Sequence, residues 1–318
     1  MNLAVVVPCF NEAAALPYFL KEMAEVESSL PVDVDYFFVD DGSTDDTLNI
    51  LKEAATKNSH LQYLSLSRNF GKEAALYAGL SATNHDYIAV MDADLQDPPA
   101  LLKEMLRLVQ EEHYDMVGTK RQDRRGEPWL RSFFSRSFYF LMKKISNTPL
   151  EPGVRDYRLM TRQVVEAVLS VSEYNRFSKG IFSWVGFKTI YLPYENHERI
   201  AGETSWSFWQ LFSYSLEAIV NFSDVPLTLA SLVGVVACLA AIISTIVIVV
   251  RTLMFGDPTS GWPSLATIIL FVGGLQLFSL GIVGKYIGKI FLETKNRPRY
   301  LLKETNLKKE HEHEHVSR

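Results

Sequence analysis

The amino-acid sequence predicts an α/β domain built on a mostly parallel sheet, followed by two helices long enough to cross a membrane. Two observations support this prediction. Short apolar runs alternate with amphipathic stretches in the first part of the chain, and two long uncharged apolar runs come after them. Strands that alternate with helices favour parallel pairing through right-handed crossovers. The division also explains a mean hydropathy near zero, +0.02, in a chain with 22% charged residues.

Composition excludes several classes of protein. The net charge of −5 argues against nucleic acid as a partner, because a protein that coats nucleic acid needs a basic surface. Apolar residues make up 47% of the chain, which is too many for an intrinsically disordered protein. The two cysteines, Cys9 and Cys238, cannot form a disulfide framework or a cysteine-rich metal site.

The individual elements follow from the apolar pattern in chain order. Strands are predicted at 3–7, 34–39, 61–66, 87–91 and 116–118, where short runs are apolar and β-branched. The helices between them are predicted over 12–28, up to about 57, over 71–82 and up to about 111. Ser43 or Thr44 can cap the second helix, and Pro98 suits the first turn of the fourth.

Polar clusters follow the first four strands, at the point where each strand ends. They are Asn11-Glu12, Asp40-Asp41, Ser67-Arg68-Asn69 and Asp92-Ala93-Asp94. In parallel α/β sheets, ligands bind outside the carboxyl ends of the strands. We therefore expect these four clusters to form one site.

The stretch from Asp92 to Gln96 indicates a divalent metal. Side chains alternate along an extended segment, so Asp92 and Asp94 project to one side, and Gln96 shares their parity. Mg²⁺ or Mn²⁺ takes such oxygen ligands, and diphosphate oxygens can complete the shell. The alternative is a solvated acidic turn with Asp97 as the N-cap of the next helix. The position at the end of a buried strand favours the metal.

Two other clusters suggest a nucleotide. Asp41 can accept hydrogen bonds from a nucleobase, although its surroundings also have the composition of a simple turn. Pro8, Phe10 and Glu12 offer a rigid entry, an aromatic face and a carboxylate for base or ribose. The sequence has no Gly-x-Gly-x-x-Gly after its first strand and no P-loop, which weakens the dinucleotide oxidoreductase and ATPase interpretations.

The apolar runs 227–250 and 265–284 have the length of membrane-crossing helices. Six Lys and Arg residues follow the second run and one lies in the connecting loop, so both termini are expected in the cytoplasm. The segments 129–145 and 205–222 combine bulky aromatics with polar residues, which predicts helices in the headgroup plane or, alternatively, core helices. The chain start does not have the pattern of a signal peptide, and the His- and Glu-rich end is expected to be solvated.

The segments VVVPCFNE, VDDGSTD, LSRNFGKEAAL, VMDADLQDPP and ERIAGETSW together resemble the polyprenyl-phosphate glycosyltransferases. These form part of the dolichol-phosphate mannose synthase-like GT-A family (glycosyltransferase family 2), and this chain most resembles the bactoprenol glucosyltransferase branch. The resemblance covers about residues 1–300 and implies an α/β GT-A (Rossmann-like, mostly parallel sheet) catalytic domain with interfacial helices and two transmembrane helices. The implied boundaries are 1–204 for the catalytic domain, 205–226 for an interfacial helix, 227–290 for the membrane domain and 291–318 for a cytoplasmic tail.

The resemblance also implies a reaction: inverting transfer of one sugar, most naturally glucose from UDP-glucose, to undecaprenyl phosphate. The enzyme would use Mg²⁺ or Mn²⁺, lie in a bacterial plasma membrane with its catalytic domain in the cytoplasm, and make a lipid-linked donor for cell-envelope glycans. Matching positions assign the nucleotide-sugar contacts to Pro8, Phe10, Glu12, Asp41, Asp92 and Arg199. They assign the metal contacts to Asp92, Asp94 and Gln96. The contacts with the acceptor phosphate are assigned to Arg121, Arg131 and Arg136. Asp94, Asp156 and Arg131 would take part in catalysis.

Some alternatives stay open at this point. Asp156 can orient the acceptor, act as a base, or form a structural ion pair with Arg155 or Arg158. The transferred sugar can be N-acetylglucosamine, mannose or an aminosugar, and a non-catalytic membrane adaptor or nucleotide-sugar sensor is the alternative from another class. Glycines near the end of the second apolar run permit a homo-oligomer, for example a tetramer.

Overall fold

The computed structural model describes residues 1–121, 151, 153–171, 173–174, 176–194, 225–255 and 261–307. Within these ranges the chain forms two compact units. The first contains the described residues up to 194 and those from 297 onward, and the second contains the described residues from 225 to 296. The segments 129–145 and 205–222, predicted as interfacial helices, lie outside the described residues.

The first unit is an α/β domain in which strands and helices alternate. In chain order its elements are β1 (Asn2–Cys9), α1 (Leu16–Glu27), β2 (Asp33–Asp40), α2 (Thr47–Lys57), β3 (Leu61–Leu66), α3 (Lys72–Ser81), β4 (Tyr87–Val90), α4 (Leu101–Glu111), β5 (Met116–Arg121), β6 (Val154–Thr161), α5 (Arg162–Ser170), α6 (Ser178–Trp184), β7 (Thr189–Tyr194) and β8 (Leu302–Thr305).

The described strands form one sheet in the order β7-β5-β6-β4-β1-β2-β3-β8. The pairs β1–β2, β1–β4, β2–β3 and β5–β7 are parallel. The pairs β3–β8, β4–β6 and β5–β6 are antiparallel. The predicted mostly parallel α/β sheet is therefore confirmed, and the five strands expected from the apolar pattern are all present.

The centre of the sheet is dry and closely packed. Leu3 to Val7 on β1 are fully buried between the two neighbouring parallel strands. Helix α3 approaches this strand so closely that a Cβ atom on Gly79 would lie 2.4 Å from Val6 Cγ1 and 3.0 Å from Val39 Cγ2. A side chain at that position would push the helix away, so glycine there permits the close packing of α3 on β1 and β2.

Three predicted helix starts are wrong. Helix α1 begins at Leu16 rather than at residue 12. Helix α2 begins at Thr47 and is not capped by Ser43 or Thr44, because both of these side chains bond to Asn11 instead. Helix α4 begins at Leu101, after a turn in which the carbonyl of Pro98 accepts the N–H of Leu101.

The segment after the apolar helices contains a strand that the sequence did not predict. Residues 291–318 were assigned to a tail, but β8 pairs with β3 along the edge of the sheet, with Leu64 opposite Thr305 and Ser65 opposite Glu304. Lys52 on α2 also pairs with Glu304 at 2.7 Å. Part of the expected tail therefore belongs to the α/β domain.

The second unit consists of α7 (Val225–Phe255) and α8 (Trp262–Thr294). Both contain windows apolar and long enough to cross a membrane, at Val225–Ser244 and Phe271–Thr294. Only 6% and 0% of these windows is buried within the chain, which is not the burial of a core helix in a soluble domain. The predicted apolar helices are confirmed as helices.

Candidate active site

Hydrogen bonds join the loop after β1 to the loop after β2. Asn11 has a positive φ of 56°, a conformation that asparagine tolerates better than most residues. Its backbone N–H donates to Ser43 Oγ at 2.9 Å, and its side-chain oxygen accepts the backbone N–H of Thr44 at 2.9 Å. The N–H of Glu12 donates to Thr47 Oγ1 at 2.8 Å. The two predicted nucleotide loops are therefore held side by side.

Asp41 joins the loop after β3 to the same edge. The residue is 3% exposed; its Oδ1 accepts the N–H of Phe70 at 2.7 Å and its Oδ2 that of Gly71 at 2.8 Å. Burial raises the pKa of Asp41, and these two N–H groups partly oppose the shift. Gly42 permits the close approach, since its φ is +68° and a Cβ there would lie 2.5 Å from the carbonyl carbon of Arg68. The nucleobase contact of Asp41 stays a prediction.

A lysine joins the ends of β4 and β6. Val90, the last residue of β4, lies opposite Arg158 in this antiparallel pair; Asp92 comes two residues after Val90 and Asp156 two residues before Arg158. Lys72 Nζ, from the start of α3, lies 2.7 Å from Asp92 Oδ1 and 2.8 Å from Asp92 Oδ2. The same nitrogen lies 2.6 Å from Asp156 Oδ2. One ammonium group thus bridges two carboxylates that we predicted to be functional.

Asp156 remains ionised in this setting. Burial raises its pKa, but the charges of Lys179, at 3.7 Å, and of Lys72 outweigh that effect and hold the pKa well below its usual range. Asp156 pairs with these lysines, and not with Arg155 or Arg158, the partners in one of the alternatives that the sequence left open. Arg158 instead donates to the backbone carbonyls of residues 155 and 156 and lies over the ring of Phe182, with Cζ 3.7 Å from the centroid.

The turn after Asp92 is held by a second buried network. Asp94 is 7% exposed, and its Oδ1 accepts the N–H of Gln96 at 3.1 Å. The side-chain oxygen of Gln96 accepts from Arg155 Nη2 at 2.8 Å. Arg155 also pairs with Asp97 at 3.3 Å, and the hydroxyl of Tyr194 donates to the same carboxylate. Asp97 is therefore not the N-cap of α4 but a buried partner of β6 and β7.

The donor set fits a divalent cation with two protein ligands. Within the described ranges, no group of three or more His, Cys, Asp and Glu residues is arranged to hold a metal. Mg²⁺ is nevertheless commonly bound by one or two carboxylates that substrate phosphates and water supplement. An ionised carboxylate has about four acceptor positions, so Asp92 can bind both Lys72 and a cation. Asp94 would be the second ligand in such an arrangement, and the oxygen of Gln96 accepts a hydrogen bond from Arg155.

The other predicted residues divide between the described and the undescribed parts of the chain. Pro8 is half-buried at the end of β1, and Phe10 beyond it is 44% exposed, as a stacking platform for a base requires. Arg121 is the last residue of β5, and its backbone N–H donates to the carbonyl of Gly153 at 3.0 Å. The remaining three, Arg131, Arg136 and Arg199, lie outside the described residues.

Sequence reasoning missed two residues that organise this edge, Lys72 and Arg155. Lys72 occurs in the quoted segment LSRNFGKEAAL, directly after Gly71, whose φ is 97°. A lysine that follows a positive-φ glycine at a helix start, on the ligand side of a parallel sheet, was the available signal. Arg155 was named only as a possible partner of Asp156, and nothing in its spacing indicates Asp97 and Gln96 instead.

Comparison with known proteins shows the family to which the chain belongs. The family described as "Glycosyl transferase family 2" matches residues 4–169. The chain is similar to the bactoprenol glucosyl transferase of Shigella phage SfX, with 41% identity over 303 residues that cover 95% of this chain and 99% of that protein. It is also similar to the prophage bactoprenol glucosyl transferase homolog of Escherichia coli, with 42% identity over 303 residues and the same two coverages. A solved structure, mannosyl-3-phosphoglycerate synthase from Rubrobacter xylanophilus, has 16% identity and a TM-score of 0.46 and covers 69% of this chain and 72% of that chain.

Proposed function

We propose that this chain, which belongs to glycosyl transferase family 2, transfers one glucose from UDP-glucose to a polyprenyl phosphate such as undecaprenyl phosphate. Two relatives at 41% and 42% identity, named for bactoprenol and glucose, support the choice of acceptor and sugar. The structural observation that carries the proposal is the bridge from Asp92 through Lys72 to Asp156, with Asp94 beside it. It lies at the carboxyl edge of the sheet, where ligands of such folds bind.

The donor half of the site is assigned to the loops after β1, β2 and β4. Phe10 is exposed at this edge and offers a face for the base, and Glu12 offers a carboxylate for the ribose. Asp92 and Asp94 would hold Mg²⁺ or Mn²⁺ against the diphosphate. A divalent cation bound there neutralises the charge that develops on the departing nucleoside diphosphate.

The acceptor half is assigned to the side of β5 and β6. A phosphate monoester has a second pKa near ~6, so at neutral pH it is largely a dianion and attacks without a strong base. Asp156 fits this chemistry, because a carboxylate whose pKa is held low is a poor proton acceptor. Its role in the proposal is to position Lys72 and Lys179, whose charges lie beside the reacting centre. Arg121, at the end of β5, and Arg131 and Arg136 are proposed to hold the acceptor phosphate.

The reaction is a single displacement. An oxygen of the acceptor phosphate forms a bond to the anomeric carbon as the bond from that carbon to the diphosphate oxygen breaks, and UDP leaves with the electron pair. Attack from the face opposite the leaving group inverts the configuration at this carbon. The site needs to orient two anionic partners, which is the task of fixed cations and positioned carboxylates.

The acceptor also explains why the chain carries α7 and α8. A polyprenyl tail stays in the lipid while its phosphate reaches the aqueous site. Helices with apolar windows of 20 and 24 residues match the thickness of the hydrocarbon layer. We propose that they anchor the domain at the cytoplasmic face of a bacterial plasma membrane.

A donor panel tests the proposal. Purified full-length protein is incubated with undecaprenyl phosphate, a divalent metal and radiolabelled UDP-glucose, UDP-N-acetylglucosamine or GDP-mannose, and the label is measured in the organic phase. We expect label from UDP-glucose, loss of transfer on chelation of the metal, and a β-linked product from the α-linked donor. Label from another sugar alone would keep the reaction class and reject glucose. Absence of label from every donor would favour the adaptor or sensor.

A further inference from the structure

A cavity of about 290 Å³ opens beside the start of α3. Its lining residue Arg68 belongs to one of the four polar clusters predicted at the ligand edge, but none of the lining residues is among the predicted nucleotide-sugar, metal or acceptor-phosphate contacts. The cavity is lined by three arginines, two aromatic residues, one carboxylate and an alanine, namely Arg68, Arg176, Arg299, Phe70, Tyr174, Glu73 and Ala74. The arginines come from three distant parts of the sequence: the loop after β3, the segment before α6 and the segment that leads to β8. The fold thus collects positive charge at one point.

Two of the arginines share one aromatic ring. The guanidinium carbon of Arg299 lies 4.4 Å from the centroid of Tyr77, and that of Arg176 lies 4.9 Å from the same centroid. Arg176 is 8% exposed and donates to the backbone carbonyls of Val168 and Val171, which hold its planar group but do not cancel its charge. Burial lowers the pKa of Arg176, and the nearby charge of Arg299 lowers it further.

The carboxylate of Glu73, which lines the cavity, is hydrogen-bonded to a residue that does not line it. Glu73 accepts the N–H of Ser178 at 3.1 Å and also accepts its hydroxyl. Burial raises the pKa of Glu73, and the bonds from Ser178 oppose that shift. The lining side chains include three guanidinium groups and one carboxylate. The charge of Glu173 also acts on Arg176, and its backbone carbonyl accepts Arg299 Nε at 3.3 Å, so the arginines exceed these two carboxylates by one. Guanidinium N–H groups match phosphate oxygens in pairs.

We propose that this cavity binds a phosphate group, and we refer to it as the arginine cavity. Its volume lies at the lower end of ligand pockets, which suits a phosphate with a small substituent rather than a complete nucleotide sugar. The phosphate can come from a lipid headgroup or from a soluble phosphate ester. Arg299 lies five positions along the chain after Thr294, the last residue of α8. A lipid headgroup as the ligand would therefore act close in sequence to the proposed membrane helix.

Binding of soluble pyrophosphate tests the arginine cavity. Full-length protein in detergent, with EDTA present, is titrated with pyrophosphate by calorimetry for the wild type and for Arg299→Gln, Arg299→Lys, Asp94→Asn and Arg107→Gln. We expect Arg299→Gln to weaken binding at least about ten-fold, as the loss of one charge-assisted contact predicts, and Arg299→Lys to weaken it less. The control variant Arg107→Gln removes an exposed arginine of α4 that pairs with Glu104, and it should not change binding.

The Asp94→Asn variant separates this cavity from the proposed catalytic edge. Pyrophosphate binding that survives Asp94→Asn and is lost in Arg299→Gln supports the proposal, even if no sugar transfer is ever detected. Equal binding in the wild type and Arg299→Gln overturns it, as does binding lost only in Asp94→Asn. If Arg299→Gln does not fold, the exposed Arg68 carries the same test as Arg68→Gln.

Nanodiscs distinguish the two sources of phosphate. Melting temperatures are compared in phosphatidylcholine discs with and without phosphatidylglycerol. A stabilisation by phosphatidylglycerol that Arg299→Gln removes identifies a headgroup. If pyrophosphate stabilises the wild type in discs that contain only phosphatidylcholine, phosphatidylglycerol has no effect, and Arg299→Gln removes the stabilisation, the source of the phosphate is a soluble ester. No stabilisation of the wild type by either phosphate overturns the proposal.

Discussion

Replacing Lys72 with Gln should reverse the direction in which stability depends on pH. Lys72 Nζ lies 2.7 Å from Asp92 and 2.6 Å from Asp156, so the two carboxylate oxygens are at most about 5.3 Å apart. Without the ammonium, two unit charges at that distance repel by about 3 kcal/mol at an effective dielectric constant of about 20. The two carboxylates are 24% and 27% exposed, and Lys179 remains nearby, so we expect a loss of about 2 kcal/mol at pH 7.

The two proteins then differ in the sign of their pH dependence. In the wild type the pKa of Asp156 is lowered, so its contribution to stability is present above the unfolded pKa of about 3.9 and is lost as the pH falls below it. In Lys72→Gln the repulsion raises the pKa of one member of the pair. The folded variant then takes up a proton more readily than the unfolded chain, and its stability increases as the pH falls from about 6 toward 4.

Urea unfolding at pH 7, 6, 5, 4 and 3, followed by tryptophan fluorescence, measures these slopes on both sides of the unfolded pKa of about 3.9. Lys72→Arg retains the charge and should follow the wild type. Lys57→Gln removes an exposed lysine that contacts Glu53 at 2.6 Å and should change neither stability nor slope appreciably. Parallel pH profiles for the wild type and Lys72→Gln would refute the bridging role of Lys72.

Three further substitutions test the surrounding site. Asp94→Asn should abolish sugar transfer with little change in melting temperature; if turnover is unchanged, Asp94 is not a metal ligand. Asp41→Asn replaces one of the two acceptor oxygens with an amide donor, so one buried N–H loses its partner. The free energy of unfolding should fall by about 1 to 3 kcal/mol in denaturant unfolding. An unchanged midpoint would contradict the two hydrogen bonds from Phe70 and Gly71. Arg155→Met leaves Asp97, which is 3% exposed, without its cation, and the free energy of unfolding should fall by about 3 kcal/mol. Arg155→Lys should recover part of this loss. Equal stability of the Met variant and the wild type would reject the ion pair.

The sequence predicts the site residues that directly follow a predicted strand, because the end of the strand is enough to place them at the ligand edge. The strands β1 and β4 contain uninterrupted apolar runs, and β2 has one over residues 36–39 just before its end. The residues after these runs, including Asp41, Asp92 and Asp94, can therefore be assigned to one edge. Strand β6 does not have such a run, since VRDYRLMT carries charges that only its neighbours satisfy. Arg158 is 2% exposed because Phe182 and two carbonyls enclose its guanidinium, and no periodicity shows this.

Strand β8 shows a second limit of sequence reasoning. Its residues, LKET, have neither an apolar run nor an alternation, and its partner β3 lies more than 230 positions earlier in the chain. The pairing depends on the open edge of β3 and on contacts such as the backbone bond from Ser67 to the carbonyl of Leu301. These are properties of the assembled sheet, so a segment that reads as a polar tail becomes an edge strand.

Charge balance at the edge of the sheet explains why the proposed reaction needs cations beyond those already paired there. Within the described part of the chain, four carboxylates and four basic side chains meet around the ends of β4 and β6: Asp92, Asp94, Asp97 and Asp156 with Lys72, Lys179, Arg155 and Arg158. Their formal charges cancel before any substrate binds. In the proposed reaction a diphosphate and a phosphate dianion would add several negative charges, which the proposed divalent metal and the arginines of the basic segment that begins at Lys120 and Arg121 would offset. Variants that neutralise this segment should therefore impair acceptor use before they impair folding, since the carboxylates within the fold already have their own partners.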